Sequence, residues 1–149
     1  MRRSALLPIL ALLVAFPLVA QDKAKAEAMV KEGIAFLKAN GKPAFFGEVN
    51  KASGRFHVKP GSSIYLFVYD LKGTILAHGA EPNAIGVNRF NVKDPDGKQY
   101  VKENLAMGQQ KGGGWVDYKR PNPETRKVEQ KTSYLLAEGD VVVGCGVYK

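Results

Sequence analysis

Between Asp22 and Asn40 the apolar residues Ala26, Val30, Ile34 and Leu37, with Met29 beside them, recur at spacings of three and four. That period predicts an amphipathic helix with Asp22 as its N-cap and Gly41 and Pro43 as its stop. A helix with one apolar face must lie on something, and a sheet further along the chain is the only candidate. Pro43 to Asn50 predicts a short second helix, with Pro43 at its first position and Phe45, Phe46 and Val49 turned inward. The period then changes. Ile64-Tyr65-Leu66-Phe67-Val68-Tyr69-Asp70 is dense in aromatic and β-branched residues and reads as the strongest strand of the chain. Leu71-Lys72-Gly73 turns it into a second strand, Thr74 to His78, with a glycine where the hairpin needs a positive φ. Large side chains on both faces of the first strand predict that both faces are covered.

Gly79 to Lys93 is irregular and polar, and a connection of that length in a compact domain is usually functional or mobile. Asp94-Pro95-Asp96-Gly97 reads as a turn. Asp96 is expected to cap a helix from Gly97 to Gln109, with Gln99 at the reciprocal position and Val101, Leu105 and Gly108 on one side. Three strands close the chain: Gly114 to Lys119, Lys127 to Ala137 and Val141 to Tyr148. The order predicts an α+β domain, an antiparallel sheet of about five strands with a long N-terminal helix and a further helix packed on it. The helices are expected mainly on one face.

The first twenty residues stand apart from that domain. Met1-Arg2-Arg3 is basic, Ala5 to Val19 is apolar apart from Pro8 and Pro17, and Val19-Ala20 meets polar Gln21-Asp22. This is the layout of a secretory signal cut after Ala20, leaving residues 21–149 as a single ligand-binding domain. The run is short for a membrane span and broken by proline. The expectation is an exported, periplasmic protein that does not span the membrane once processed. Removing Arg2 and Arg3 lowers the formal charge of +8 by two. The remaining basic residues are scattered, which disfavours nucleic acid as a partner and suits attraction of small anions. Cys145 is the only cysteine, so no internal disulfide can form, and its apolar run reads as a buried strand.

Candidate chemistry gathers late in the chain. Gly114 to Lys119 carries Trp115 and Tyr118, a Pro121-Asn122-Pro123 turn reverses the chain, and the next strand brings back Lys131 and Tyr134. Aromatics with polar tips beside a cation can line a pocket for a small anion. Trp115 and Tyr118 lie three apart, so on a regular strand they face opposite sides, and Tyr118 is preferred as the polar contact. Lys131 interrupts an apolar run, where burial is costly without an anionic partner; the alternative is an exposed face of the last hairpin. His78 either donates to a ligand carboxylate or is satisfied by a nearby carbonyl. Tyr65 is a further aromatic candidate, and Arg89 with Asn88 belongs to a lid. Asp94 to Gly97 with Glu103 mimics a calcium loop, but its first position would be Val92; His57 and His78 are too isolated for zinc. No metal or cofactor is expected. No nucleophile elbow, paired carboxylates or phosphate loop supports an enzyme.

The run Tyr65 to His78 resembles the central hairpin of single Cache domains, which are PAS-like extracytoplasmic sensor modules. Ile85 to Asn88, Lys93 to Lys98, Gly114 to Tyr118, Pro121 to Pro123, Lys131 to Tyr134 and Gly144 to Tyr148 follow in the order that family expects. The resemblance spans residues 24 to 148. It implies binding of a small organic ligand, often a short organic acid, and a place in signal transduction and chemotaxis. With one apolar segment and no transmitter region, the chain is expected to act without its own output domain, handing its signal to a membrane receptor or sensor kinase. A second reading stays open, a module that binds no ligand and docks on a receptor or envelope complex.

Overall fold

The computed structural model describes residues 18–149, so most of the leader, residues 1–17, lies outside the described residues. Helix α1 is Leu18–Asn40 and α2 is Lys42–Asn50. The hairpin is β1, Leu66–Asp70, and β2, Ile75–His78. After the irregular segment come α3, Tyr100–Gly108, and the strands β3, Gly114–Pro121, β4, Val128–Glu138, and β5, Val141–Tyr148. α1 begins ahead of the expected Asp22, and Asp22 pairs with Lys25 at 3.2 Å instead of capping the helix. The expected cut after Ala20 therefore falls in its first turn. No helix among the described residues is long and apolar enough to cross a membrane.

The five strands form one antiparallel sheet in the order β2-β1-β5-β4-β3. The last strand thus enters the middle of the sheet, which is why its sequence is apolar on both faces. On one face α1 and α2 set Val30, Ile34, Phe45 and Val49 against Leu66, Val68, Tyr134 and Cys145. Cys145 is fully buried there, its Sγ 3.9 Å from Met29 Sδ. On the other face α3 sets Tyr100, Val101 and Leu105 against Phe67, Tyr118, Leu135 and Val142. The expectation of helices mainly on one face is corrected: β1 and β5 bury both faces, and a cover on each side keeps that apolar surface from water.

Two turns position the functional segment. The Asp70 carboxylate accepts the amides of Lys72 and Thr74, each at 2.8 Å, and Gly73 adopts φ 86°, which only glycine takes easily. The expected cap at Asp96 does not form. Gly97 lies at φ 84°, outside helical space, and the Asp94 carboxylate collects the amides of Asp96, Lys98 and Lys119. That turn competes with helix, so α3 starts only at Tyr100. The same aspartate ties the end of the irregular segment to β3.

Candidate functional site

Strand register decides which side chains meet. Tyr118 pairs with Lys131, and Lys131 with Tyr148, so one cross-strand row on the α3 face runs Tyr118, Lys131, Tyr148. A second row on that face runs Gly114, Leu135, Gly144, Phe67, His78. Between them lie Val116, Ser133 and Gly146. A Cβ on Gly146 would meet Lys131 Cε and Ser133 Oγ, and one on Gly144 would meet the Phe67 ring. The two glycines are therefore the space into which the lysine and the aromatic rings fold.

Lys131 is almost completely buried. Its Nζ donates to Tyr65 Oη at 2.9 Å and lies 4.5, 5.1 and 5.1 Å from the ring centres of Tyr65, Phe67 and Tyr148. No carboxylate of the described residues comes within ion-pair distance of it. Three aromatic faces stabilise a cation by roughly 0.5–2 kcal/mol apiece, less than burial costs it. Burial accordingly pushes the ammonium down to about 7.

His78 closes the same corner. Its Nδ1 accepts the amides of Ala80 at 3.2 Å and Glu81 at 2.9 Å, which leaves the ring proton on Nε2. The ring lies 5.1 Å from Tyr65 and 6.3 Å from Phe67, and burial holds the imidazole down at about 3, so it stays neutral. The ring is neutral, and its Nε2–H has no hydrogen-bond partner among the described residues.

A pocket of about 540 Å³ opens beside Tyr65, walled by Glu81, Arg89, Arg120, Asn122 and Arg126. Arg89 reaches it from the irregular segment and Arg120 from the end of β3. Both point at Glu81: Arg89 Nη2 to Oε2 at 2.7 Å and Arg120 Nη2 to Oε1 at 2.5 Å. Partial burial would raise the Glu81 carboxyl, but the Arg89 hydrogen bond and the Arg120 charge outweigh it and hold the group at about 2. Asn122 is buried, with its side-chain amide donating to Glu129 at 2.7 Å, and fixes the turn that presents Arg120 and Arg126. Tyr148 Oη donates to the Pro121 carbonyl at 2.7 Å and ties the same turn to β5.

Of the six residues expected from the sequence, Tyr65, His78, Arg89 and Lys131 converge on this corner. Tyr118 shares the face but sits deeper, stacked on Tyr100 at 4.6 Å, its hydroxyl 2.8 Å from Ser133 Oγ. Trp115 does not join them. It lies on the α1 face with Tyr134 at 5.5 Å and Lys23 over its ring at 4.3 Å, because odd spacing along a strand inverts the side. Trp115, Tyr118 and Lys131 thus do not share one wall: the pocket is lined by Tyr65, Arg89 and Arg120, with Lys131 behind Tyr65 and Trp115 on the opposite face of the sheet. Asn88 is exposed and holds the hairpin turn through the Lys72 carbonyl rather than facing the pocket. Sequence reasoning missed Glu81, Arg120 and Tyr148; the glycine alternation Gly144-Cys145-Gly146 was the available signal of a vacated face. A second cleft, of about 520 Å³, lies between α3 and β3 and includes Trp115 and Met107, but its Lys98 is already paired with Glu103 at 3.0 Å. At the first pocket Arg89 and Arg120 are likewise paired, both with Glu81, whereas Arg126 has no ion pair among the described residues.

Comparison with known proteins bears on this geometry. The profile of a family described as Single Cache domain 2 matches residues 22–149. The sensor histidine kinase MctS of Rhizobium johnstonii is 34% identical over 90 residues, 59% of this chain and 19% of that kinase. The chain thus spans less than a fifth of that relative's length. Among solved structures, a methyl-accepting chemotaxis protein from Vibrio parahaemolyticus superposes with a TM-score of 0.74 at 23% identity, over 88% of this chain and 90% of that one. A Cache chemosensory domain, solved for the structural basis of its carboxylic acid recognition, superposes at 0.64 with 22% identity, over 87% and 90%. At these identities the structures establish the fold.

Proposed function

The chain belongs to the Single Cache domain 2 family of extracytoplasmic ligand-sensing domains, and from that premise we propose that its pocket recognises a small organic anion, a short-chain carboxylate. The observation that carries this reading is the convergence of Arg89, Arg120 and the buried, carboxylate-free Lys131 on one corner of the sheet. Guanidinium forks match a planar carboxylate, and the lysine with His78 Nε2–H offers further donors behind Tyr65. The apolar side of Tyr65, with Ala80 and Pro121, suits a short carbon chain, and the pocket volume suits a small molecule. A Cache chemosensory domain solved for its carboxylic acid recognition shares this fold, which supports the same ligand class here.

On this reading residues 1–20 direct export to the periplasm and residues 21–149 form the binding domain. Its output passes through a membrane receptor or sensor kinase, since relatives of both kinds carry the domain. It is a binding module rather than an enzyme. A thermal-shift panel of short carboxylates, amino acids and polyamines against the purified protein tests the class of ligand. A carboxylate at about 100 times its dissociation constant should add roughly 2.7 kcal/mol of stability, a rise of several degrees. A panel in which amines shift the protein and carboxylates do not would contradict the reading.

A further inference from the structure

Glu81 is the one acidic side chain on the wall of the pocket, and it occupies the place a ligand carboxylate would be expected to take. Each of its oxygens accepts from a different guanidinium, Oε2 from Arg89 and Oε1 from Arg120. The two arginines come from distant parts of the fold, one from the segment after β2 and the other from the end of β3. Both are mostly withdrawn from water, with 17% and 20% of their side chains exposed, whereas Glu81 is 33% exposed at the lip. The glutamate is held to the site by little else of its own side chain. Its backbone amide is anchored on His78 Nδ1, so the carboxylate can swing while the chain at Glu81 stays in place.

We infer that Glu81 is a resident stand-in for the ligand: its carboxylate fills the Arg89–Arg120 clamp and is displaced when a ligand carboxylate enters. This rests on the pocket being an anion site. The consequence is specificity as well as competition. Only a ligand able to replace a bidentate carboxylate can take over the clamp, so a neutral amide or alcohol of the same size is rejected. Displacement also unties the one direct side-chain link between Arg120 and the segment after β2, so that occupancy of the pocket is converted into a change in how that segment is held.

Titration calorimetry of acetate, propionate and butyrate into wild type, Glu81→Gln and Glu81→Asp tests this. Glu81→Gln keeps the shape and removes the competing charge, so the best of the three acids should bind roughly tenfold tighter than to wild type. Glu81→Asp keeps the charge but cannot span both guanidiniums, and its affinity should lie between the two. Equal or weaker binding by a folded Glu81→Gln, with wild type still binding, would overturn the stand-in and leave the anion pocket intact. Should Glu81→Gln fail to fold by circular dichroism, Glu81→Asp decides: tighter than wild type supports the inference, and equal or weaker overturns it. Absence of binding to every folded variant and to wild type would overturn both.

Discussion

Lys131 lies among three aromatic rings with no acidic partner, and that position sets a pH dependence. Burial lowers it to about 7 from the ordinary 10.5. Between those values the unfolded chain holds a proton that the folded one has lost, so this group makes folding more favourable as pH rises through the interval. Tyr65 and Tyr118, both raised by burial, act in the opposite sense only above pH 10. The difference in melting temperature between wild type and Lys131→Met should therefore grow in favour of wild type from about pH 7 to about pH 9; a flat difference in melts at those two values would contradict the assignment. A ligand anion favours the charged lysine, so binding should take up a proton and weaken as pH climbs above about 7, read by calorimetry in two buffers of different ionisation enthalpy. The charged and titratable groups facing Lys131 are Tyr65, Tyr148, Cys145, Arg120 and Glu81. The burial of Lys131 was legible in the sequence because the lysine interrupts an apolar run. Glu81 and Arg120 were not, because each sits in a polar stretch where a charge is ordinary and they meet across 39 positions.

Among the elements, β5 determines whether the site has room. Gly144 and Gly146 clear the face on which Phe67 and Lys131 lie. Gly146→Ala should cost about 1–3 kcal/mol by overpacking and should displace the lysine, seen as a lower melting temperature and lost carboxylate affinity together. A Gly146→Ala protein with unchanged melting and binding would contradict this role. On α3, the amide of Asn104 and the hydroxyl of Tyr100 are buried with no hydrogen-bond partner among the described residues. Asn104→Leu removes that unmet demand and should stabilise the fold by about 1–2 kcal/mol in a denaturant melt. The helices, the hairpin and the three late strands were all readable from period and turn residues, since each rests on local chemistry. The start of α3 was not, because the Asp94 turn competes for the residues that an Asp96 cap would need. Nor was the side of the sheet that α3 covers: its stripe says that it packs, and the path of the chain decides where.

For the molecule as a whole, the sheet order explains the site. Bringing β5 between β1 and β4 sets Tyr148 and Gly146 beside Lys131 and Tyr65, residues that no local pattern joins. The α+β architecture followed from element order, whereas this juxtaposition depends on which strand enters the centre. The pocket then combines a wall of sheet with the irregular segment after β2, which contributes Glu81 and Arg89. The most direct test of the anion pocket is titration calorimetry of the best-binding short carboxylate into wild type and Arg120→Gln. The account predicts one site per chain in wild type and at least about tenfold weaker binding in the variant, the value of one charge-assisted contact. Equal affinity in a folded Arg120→Gln would place the ligand elsewhere and contradict it.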